Sequence, residues 1–149
     1  MGLTKVGYFL LLSFVFFLLD QLSKYFIIKN FALGQSVKIL SFFSITHVKN
    51  PGAAFSLLPN QRGIFILITI FVLSGILIYL VTTGNRNRFL LTSLALIFGG
   101  ALGNFYDRLT QGQVTDFLDF HFWPVFNLAD SFITVGLLLF TYQFLLKKE

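Results

Sequence analysis

Residues 126–146 read FNLADSFITVGLLLFTYQFLL. The run is long enough to cross a bilayer, for which a helix needs about 20 mostly apolar residues. Yet Asn127 and Asp130 stand within its first turn or two. A carboxylate at membrane depth is costly and rare without a task. One reading is local. Asn127 as N-cap and Asp130 at the third helical position resemble a capping box, and a carboxylate suits the positive end of a helix dipole. The other reading is chemical, and the rest of the chain bears on the choice.

The chain has 149 residues, enough for one integral membrane domain over 1–149. It is 56% hydrophobic and 11% charged, with 21 phenylalanines. Soluble chains average about 25% charged residues, so this one cannot cover a water-facing surface. The bilayer is its solvent. The absence of cysteine excludes disulfides, thiol nucleophiles and thiolate metal sites. The net charge of +5 sits mainly between and beside the apolar runs, which argues for membrane orientation and against nucleic acid as a partner.

Four spans are expected, at about 6–28, 63–82, 89–108 and 126–146. The first is too long and too polar at its far end for a cleaved signal peptide, and reads as a retained anchor. Lys5, Arg86, Arg88 and the LLKKE end place both termini in the cytoplasm by the positive-inside rule, although Lys29, Lys38 and Lys49 weaken the contrast. Between the first two spans, SVKILSFFSITHVKN is rich in β-branched and aromatic residues, with turn signals in NPGAAF and LPNQRG. The expected fold is therefore a membrane all-α protein: four transmembrane helices and a small β-element at the outer surface between helices 1 and 2.

Most polar residues near the membrane fall in DQLSK (20–24), KNPGAAFS (49–56), GGALGNFYDR (99–108), VTDFLDF (114–120) and FNLADS (126–131). By the orientation above, all five gather at the outer half of the membrane. Asp20 and Lys24 share a helix face, either as a shielding ion pair with Lys24 snorkelling outward or as part of a site. Gly99 and Gly103 form a small-xxx-small pair, read as packing. Gly100, Asn104, Asp107 and Arg108 fall on one stripe. Either Asn104 makes an interhelical hydrogen bond and Arg108 is a favourable charge at a helix C-terminus, or the two clamp a substrate's peptide carbonyls.

Asp116 lies on the outer loop leading to the last span, and Val114, Phe117 and Leu118 should anchor it at the membrane surface. If that loop folds back over the helix start, Asp116 faces Asp130. Two carboxylates in one low-dielectric site cannot both ionise cheaply, so the pair tends to share a proton. One member can then take a proton from water while the other donates to a carbonyl oxygen, hydrolysing a peptide bond without metal or covalent intermediate. His47 and His121 are far apart with no H-E-x-x-H, and no G-x-S-x-G or phosphate-cradling glycine loop is present, so no metal and no cofactor is expected.

The blocks DQLSK, KNPGAAFS, GALGNFYDRL, VTDF and FNLADSFITVG, in this order on four spans, closely resemble the bacterial lipoprotein signal peptidases, also called signal peptidase II. The resemblance implies an aspartic endopeptidase of the bacterial cell (inner) membrane. Its substrate would be a prolipoprotein carrying a diacylglyceryl group on its lipobox cysteine, cut just before that cysteine. By motif, the catalytic pair is Asp116 and Asp130. Asn50, Gly52, Asn104, Arg108 and Asn127 match site-lining positions, and Asp20 and Lys24 a supporting first-span motif. Partners implied are the lipid-modified substrate, membrane lipid and a globomycin-type inhibitor, with a monomer sufficient. Phe105 and Tyr106 stand where aliphatic residues are more usual, the segment between Asp116 and Asp130 is short, and Asp119 has no counterpart in the motif.

Two other classes compete. A small transporter would spread polar residues over both halves of its spans, often with a midplane site. A non-catalytic accessory protein would use the same residues only to hold helices together, and would tolerate Asn at either aspartate.

Overall fold

The computed structural model describes residues 4–52, 61–83 and 87–146. The remainder of the KNPGAAFS and LPNQRG turn signals, Arg86, Lys147 and Lys148 lie outside the described residues. The elements run α1 (Lys5–Asn30), β1 (Ser36–Leu40), β2 (Phe43–Asn50), α2 (Arg62–Thr82), α3 (Arg88–Gln111), β3 (Val114–Asp119) and α4 (Leu128–Leu146). The first three helices are long and apolar enough to cross a membrane. The apolar run of α4 is shorter, Leu128–Gln143. Its 19 residues still reach about 28 Å at 1.5 Å per residue, close to the hydrocarbon thickness.

α3 is the centre of the bundle and packs on α4, α1 and α2. It is buried along most of its length, whereas Ile76 is the one buried residue of α2. Phe71, Ile78 and Val81 of α2 and Phe14, Leu22 and Phe26 of α1 point outward. In water these faces would aggregate; in a bilayer they meet lipid, while the helices satisfy their own backbone.

Glycines set the distances between helices, as the small-xxx-small pattern predicts. A Cβ on Gly99 would stand 2.5 Å from the Ser13 carbonyl oxygen of α1, and one on Gly103 would strike the Asp20 carboxylate. On Gly100 it would stand 2.5 Å from the Ala129 carbonyl oxygen of α4. That neighbour is backbone and cannot swing aside. Gly100→Ala is expected to push α4 outward and cost about 1–3 kcal/mol in overpacking. Gly75→Ala on α2, where nothing lies within 4 Å, is the control. Thermal unfolding in detergent on both variants checks this.

The three strands form one antiparallel sheet in the order β1-β2-β3. Two come from the α1–α2 connection, as expected. The third, where the sequence predicts an outer loop, is a strand, with Val48 opposite Asp116 and Asn50 opposite Val114. Gly112 makes the change of direction possible: its φ of 76° ends α3 in the left-handed region and turns the chain into β3. An isolated bridge between Leu118 and Phe126 then folds the segment back, so α4 begins beside the strand that carries Asp116. Phe120 closes this corner against Phe43 and Phe126, with ring centroids 4.8 and 5.9 Å away.

Candidate active site

Asn127 caps α4. Its Oδ1 accepts from the Asp130 backbone N–H at 2.9 Å, and its own N–H donates to Asp130 Oδ2 at 3.3 Å. This is the reciprocal capping box foreseen from sequence. The cap does not exhaust either residue. Asn127 Nδ2 donates to Asp116 Oδ1 at 2.6 Å and to Asn104 Oδ1 at 3.1 Å. Asp130 Oδ1 accepts from Asn104 Nδ2 at 2.7 Å. One asparagine thus tethers both carboxylates, one from its side chain and one from its backbone.

Strand pairing supplies the remaining partner of Asp116. Asn50, at the end of β2, donates from Nδ2 to Asp116 Oδ2 at 2.9 Å, while its Oδ1 accepts from Gly52 N–H at 3.0 Å. Arg108 Nη2 donates to the Gly52 carbonyl at 3.1 Å, and its guanidinium lies 5.0 Å from the Phe65 ring centroid. The Asn50–Gly52 corner is therefore pinned by groups on α3 and by Asp116 itself.

All of these residues but Asn127 and Phe65 border one cleft of about 590 Å³. Asn50, Gly52, Asn104, Arg108, Asp116 and Asp130 form its polar side. Phe120, Phe122, Trp123, Phe126, Ile133 and Val135 form an apolar wall. Asp116 is buried and Asp130 is half-buried. Burial pushes the Asp116 carboxyl up to about 7, the nearby Asp130 charge adds to the rise, and the Asn50 and Asn127 donors offset part of it. Burial likewise lowers Lys49, whose ammonium donates to Thr115 Oγ1 at 2.8 Å and to Gln111 Oε1.

Behind the cleft lies a second polar layer. Lys24 Nζ pairs with Asp20 Oδ2 at 2.7 Å and Asp107 Oδ2 at 3.1 Å, and donates to Asn104 Oδ1 at 3.0 Å. The i, i+4 pair is present, but Lys24 does not snorkel outward: it is 1% exposed and points inward. Asp107 departs from the expected stripe. Asn104 and Arg108 face the cleft, whereas Asp107 turns toward α1, where Gln21 Nε2 donates to it at 3.1 Å. Each member of this layer holds something in front. Asp20 accepts from Ala129 N–H of α4 at 2.9 Å, and Asp107 accepts from Thr115 N–H of β3 at 3.2 Å.

Of the positions singled out from sequence, Asn50, Gly52, Asn104, Arg108, Asp116 and Asp130 line the cleft, Asn127 and Lys24 bond directly to that wall, and Asp20 lies one bond farther back, through Lys24. Gln21, Thr115, Ser131, Thr134 and the exposed Trp123 were not singled out, although four of them adjoin motif residues. Asp119 ties the sheet together: it accepts from Thr46 Oγ1 at 2.8 Å and from His121 N–H at 2.9 Å.

A sequence model of the signal peptidase (SPase) II family matches residues 12–146. The lipoprotein signal peptidase of Moorella thermoacetica is 48% identical over 139 residues, covering 93% of each chain. That of Bacillus pumilus is 42% identical over 144 residues, again covering 93% of each. A bacterial membrane enzyme solved by the in meso method at 2.3 Å superposes with a TM-score of 0.90 at 33% identity, covering 97% of this chain and 93% of that one.

Proposed function

We infer, from the premise that this chain belongs to the signal peptidase II family, that its chemistry is that of an aspartic endopeptidase. As a protease of that family it removes signal peptides from prolipoproteins. The proposed substrate carries a diacylglyceryl group on its lipobox cysteine, and the bond cut is the one just before that cysteine. The observation that carries the dyad is Asn127, which hydrogen-bonds Asp116 from its side chain and Asp130 from its backbone at the edge of one cleft.

In the proposed mechanism the two carboxyls hold one proton between them. The ionised member takes a proton from a water molecule, whose oxygen attacks the scissile carbonyl carbon. The protonated member gives its proton to the carbonyl oxygen, forming a gem-diol. The member that took the water proton passes it to the cysteine nitrogen, the C–N bond breaks, and the other member takes a proton back from a gem-diol hydroxyl, which returns the dyad to its single-proton state. Asn104 and Asn127 orient the carboxylates. Arg108 and the Asn50–Gly52 corner sit where the substrate backbone would pass, and the aromatic wall suits its apolar segment and lipid. The enzyme is proposed to work as a monomer in the bacterial cell (inner) membrane, with both termini cytoplasmic and the cleft near the outer face. A globomycin-type inhibitor would compete for the same cleft.

Purified protein in lipid is expected to cut a diacylglyceryl-modified prolipoprotein, with mass spectrometry placing the new N-terminus at the modified cysteine. Equal cleavage of the unmodified precursor would contradict the substrate assignment. The pH profile tests the dyad's surroundings. Because the active form needs the shared proton, kcat/KM should fall as pH rises through the Asp116 value of about 7. The Asn50 donor favours the ionised form, so Asn50→Ala should move this alkaline limb to higher pH. A limb that stays in place would remove Asn50 from that role.

A further inference from the structure

We propose that the ends of α1 and α3 farthest from the cleft form a binding site for an anionic phospholipid, its phosphate in a basic cavity and an acyl chain in an adjoining groove. The cavity, of about 480 Å³, is lined by Lys5, Tyr8, Arg88 and Leu91. The Arg88 guanidinium lies 5.8 Å from the Tyr8 ring centroid, which braces it, and the Tyr8 hydroxyl is 3.0 Å from Thr92 Oγ1. Among the described residues, the ion pairs are those of Lys24 with Asp20 and Asp107, so no described carboxylate neutralises Lys5 or Arg88.

The second observation is independent of charge. A groove of about 110 Å³ runs between α1 and α2, walled by Val6, Leu10, Leu77, Leu80 and Val81. It shares Lys5 and Leu91 with the basic cavity, so head and tail pockets adjoin. Their depth also fits. Lys5 precedes Lys24 by 19 positions on one helix, about 28 Å at 1.5 Å per residue, so the cavity lies one hydrocarbon thickness from the cleft layer. That is the level of phosphodiester groups in the opposite leaflet. Basic pockets between transmembrane helices recognise anionic headgroups there, whereas a neutral zwitterion would gain little from two adjacent cations. The inference rests on the bilayer-spanning fold and not on the dyad.

Native mass spectrometry of the protein taken from mixed phosphatidylglycerol and phosphatidylcholine vesicles tests it. Wild type should retain phosphatidylglycerol on the order of tenfold or more over phosphatidylcholine. The Lys5→Gln/Arg88→Gln double variant should lose that preference while still cleaving substrate, which certifies its fold. Leu77→Trp, which fills the groove without changing charge, should lower retention as well. Glycerol phosphate and inorganic phosphate should fail to compete at millimolar concentration. Equal retention of both lipids by wild type, or an undiminished preference in the double variant, overturns the site. Competition by the head-only phosphates, or a Leu77→Trp variant that retains lipid normally, overturns its assignment to a phospholipid.

Discussion

Asp116→Asn and Asp130→Asn should each lower kcat/KM by about a thousandfold or more while leaving the protein folded. General acid–base catalysis contributes about 10²–10⁴-fold, and in a pair that must both accept and donate protons each member serves twice. The substitution is nearly isosteric but replaces one accepting oxygen with an amide nitrogen, so thermal unfolding must show that the lost bond leaves the fold intact. Asp130 is the more informative position. Its Oδ2 accepts the Asn127 N–H that opens α4, and an amide oxygen can accept the same bond. The cap therefore survives in Asp130→Asn while the proton relay does not. If the carboxylate served only to start the helix, this variant would cleave normally. An accessory protein with no chemistry predicts the same indifference at Asp116. Cleavage of lipid-modified prolipoprotein, with thermal unfolding as the check on folding, separates these outcomes.

Lys24→Met should be the most destabilising single change, costing about 3–5 kcal/mol. Lys24 is the cation of a fully buried layer. Its removal strands the Asp20 and Asp107 carboxylates, both 0% exposed, with no compensating charge. Stabilities of native proteins amount to only about 5–15 kcal/mol, so the variant should melt far below wild type or fail to accumulate. The cost belongs to the uncompensated carboxylates and not to the lost bonds. Hence Asp20→Asn/Lys24→Met/Asp107→Asn, which leaves no buried charge in the layer, should recover most of the stability. Its activity should not recover. Lys24 and Asn127 both donate to Asn104 Oδ1, at 3.0 and 3.1 Å, and together they fix which end of the Asn104 amide faces Asp130. Melting temperature in detergent and cleavage rate, measured on both variants, distinguish the two roles.

The helices were legible because bilayer thickness imposes a length on them. Expected spans at 63–82 and 89–108 lie within α2 and α3, and the capping box at Asn127 and Asp130 reads directly from spacing. β3 was not legible for two reasons. Val114, Thr115, Asp116 and Phe117 are buried in succession, so the strand carries no alternation of apolar and polar residues. Its partner β2 is also distant in sequence, with Thr115 opposite Lys49. Asp107 was misplaced by a rotation of one helical step: it shares the motif with Arg108 but faces α1. Asn127 could be read as a cap, but its bond to Asp116 depends on the Leu118–Phe126 bridge, which no local pattern announces.

The most direct test is to titrate the Asp116 carboxyl by difference infrared spectroscopy in lipid nanodiscs, in wild type and in Asp130→Asn. Two carboxyls at one buried cleft predict that Asp116 keeps its proton to about pH 7 in wild type, and releases it at lower pH once the Asp130 charge is gone. An Asp116 that ionises in the ordinary carboxylate range, near pH 4, in both proteins would contradict the shared site and the mechanism built on it.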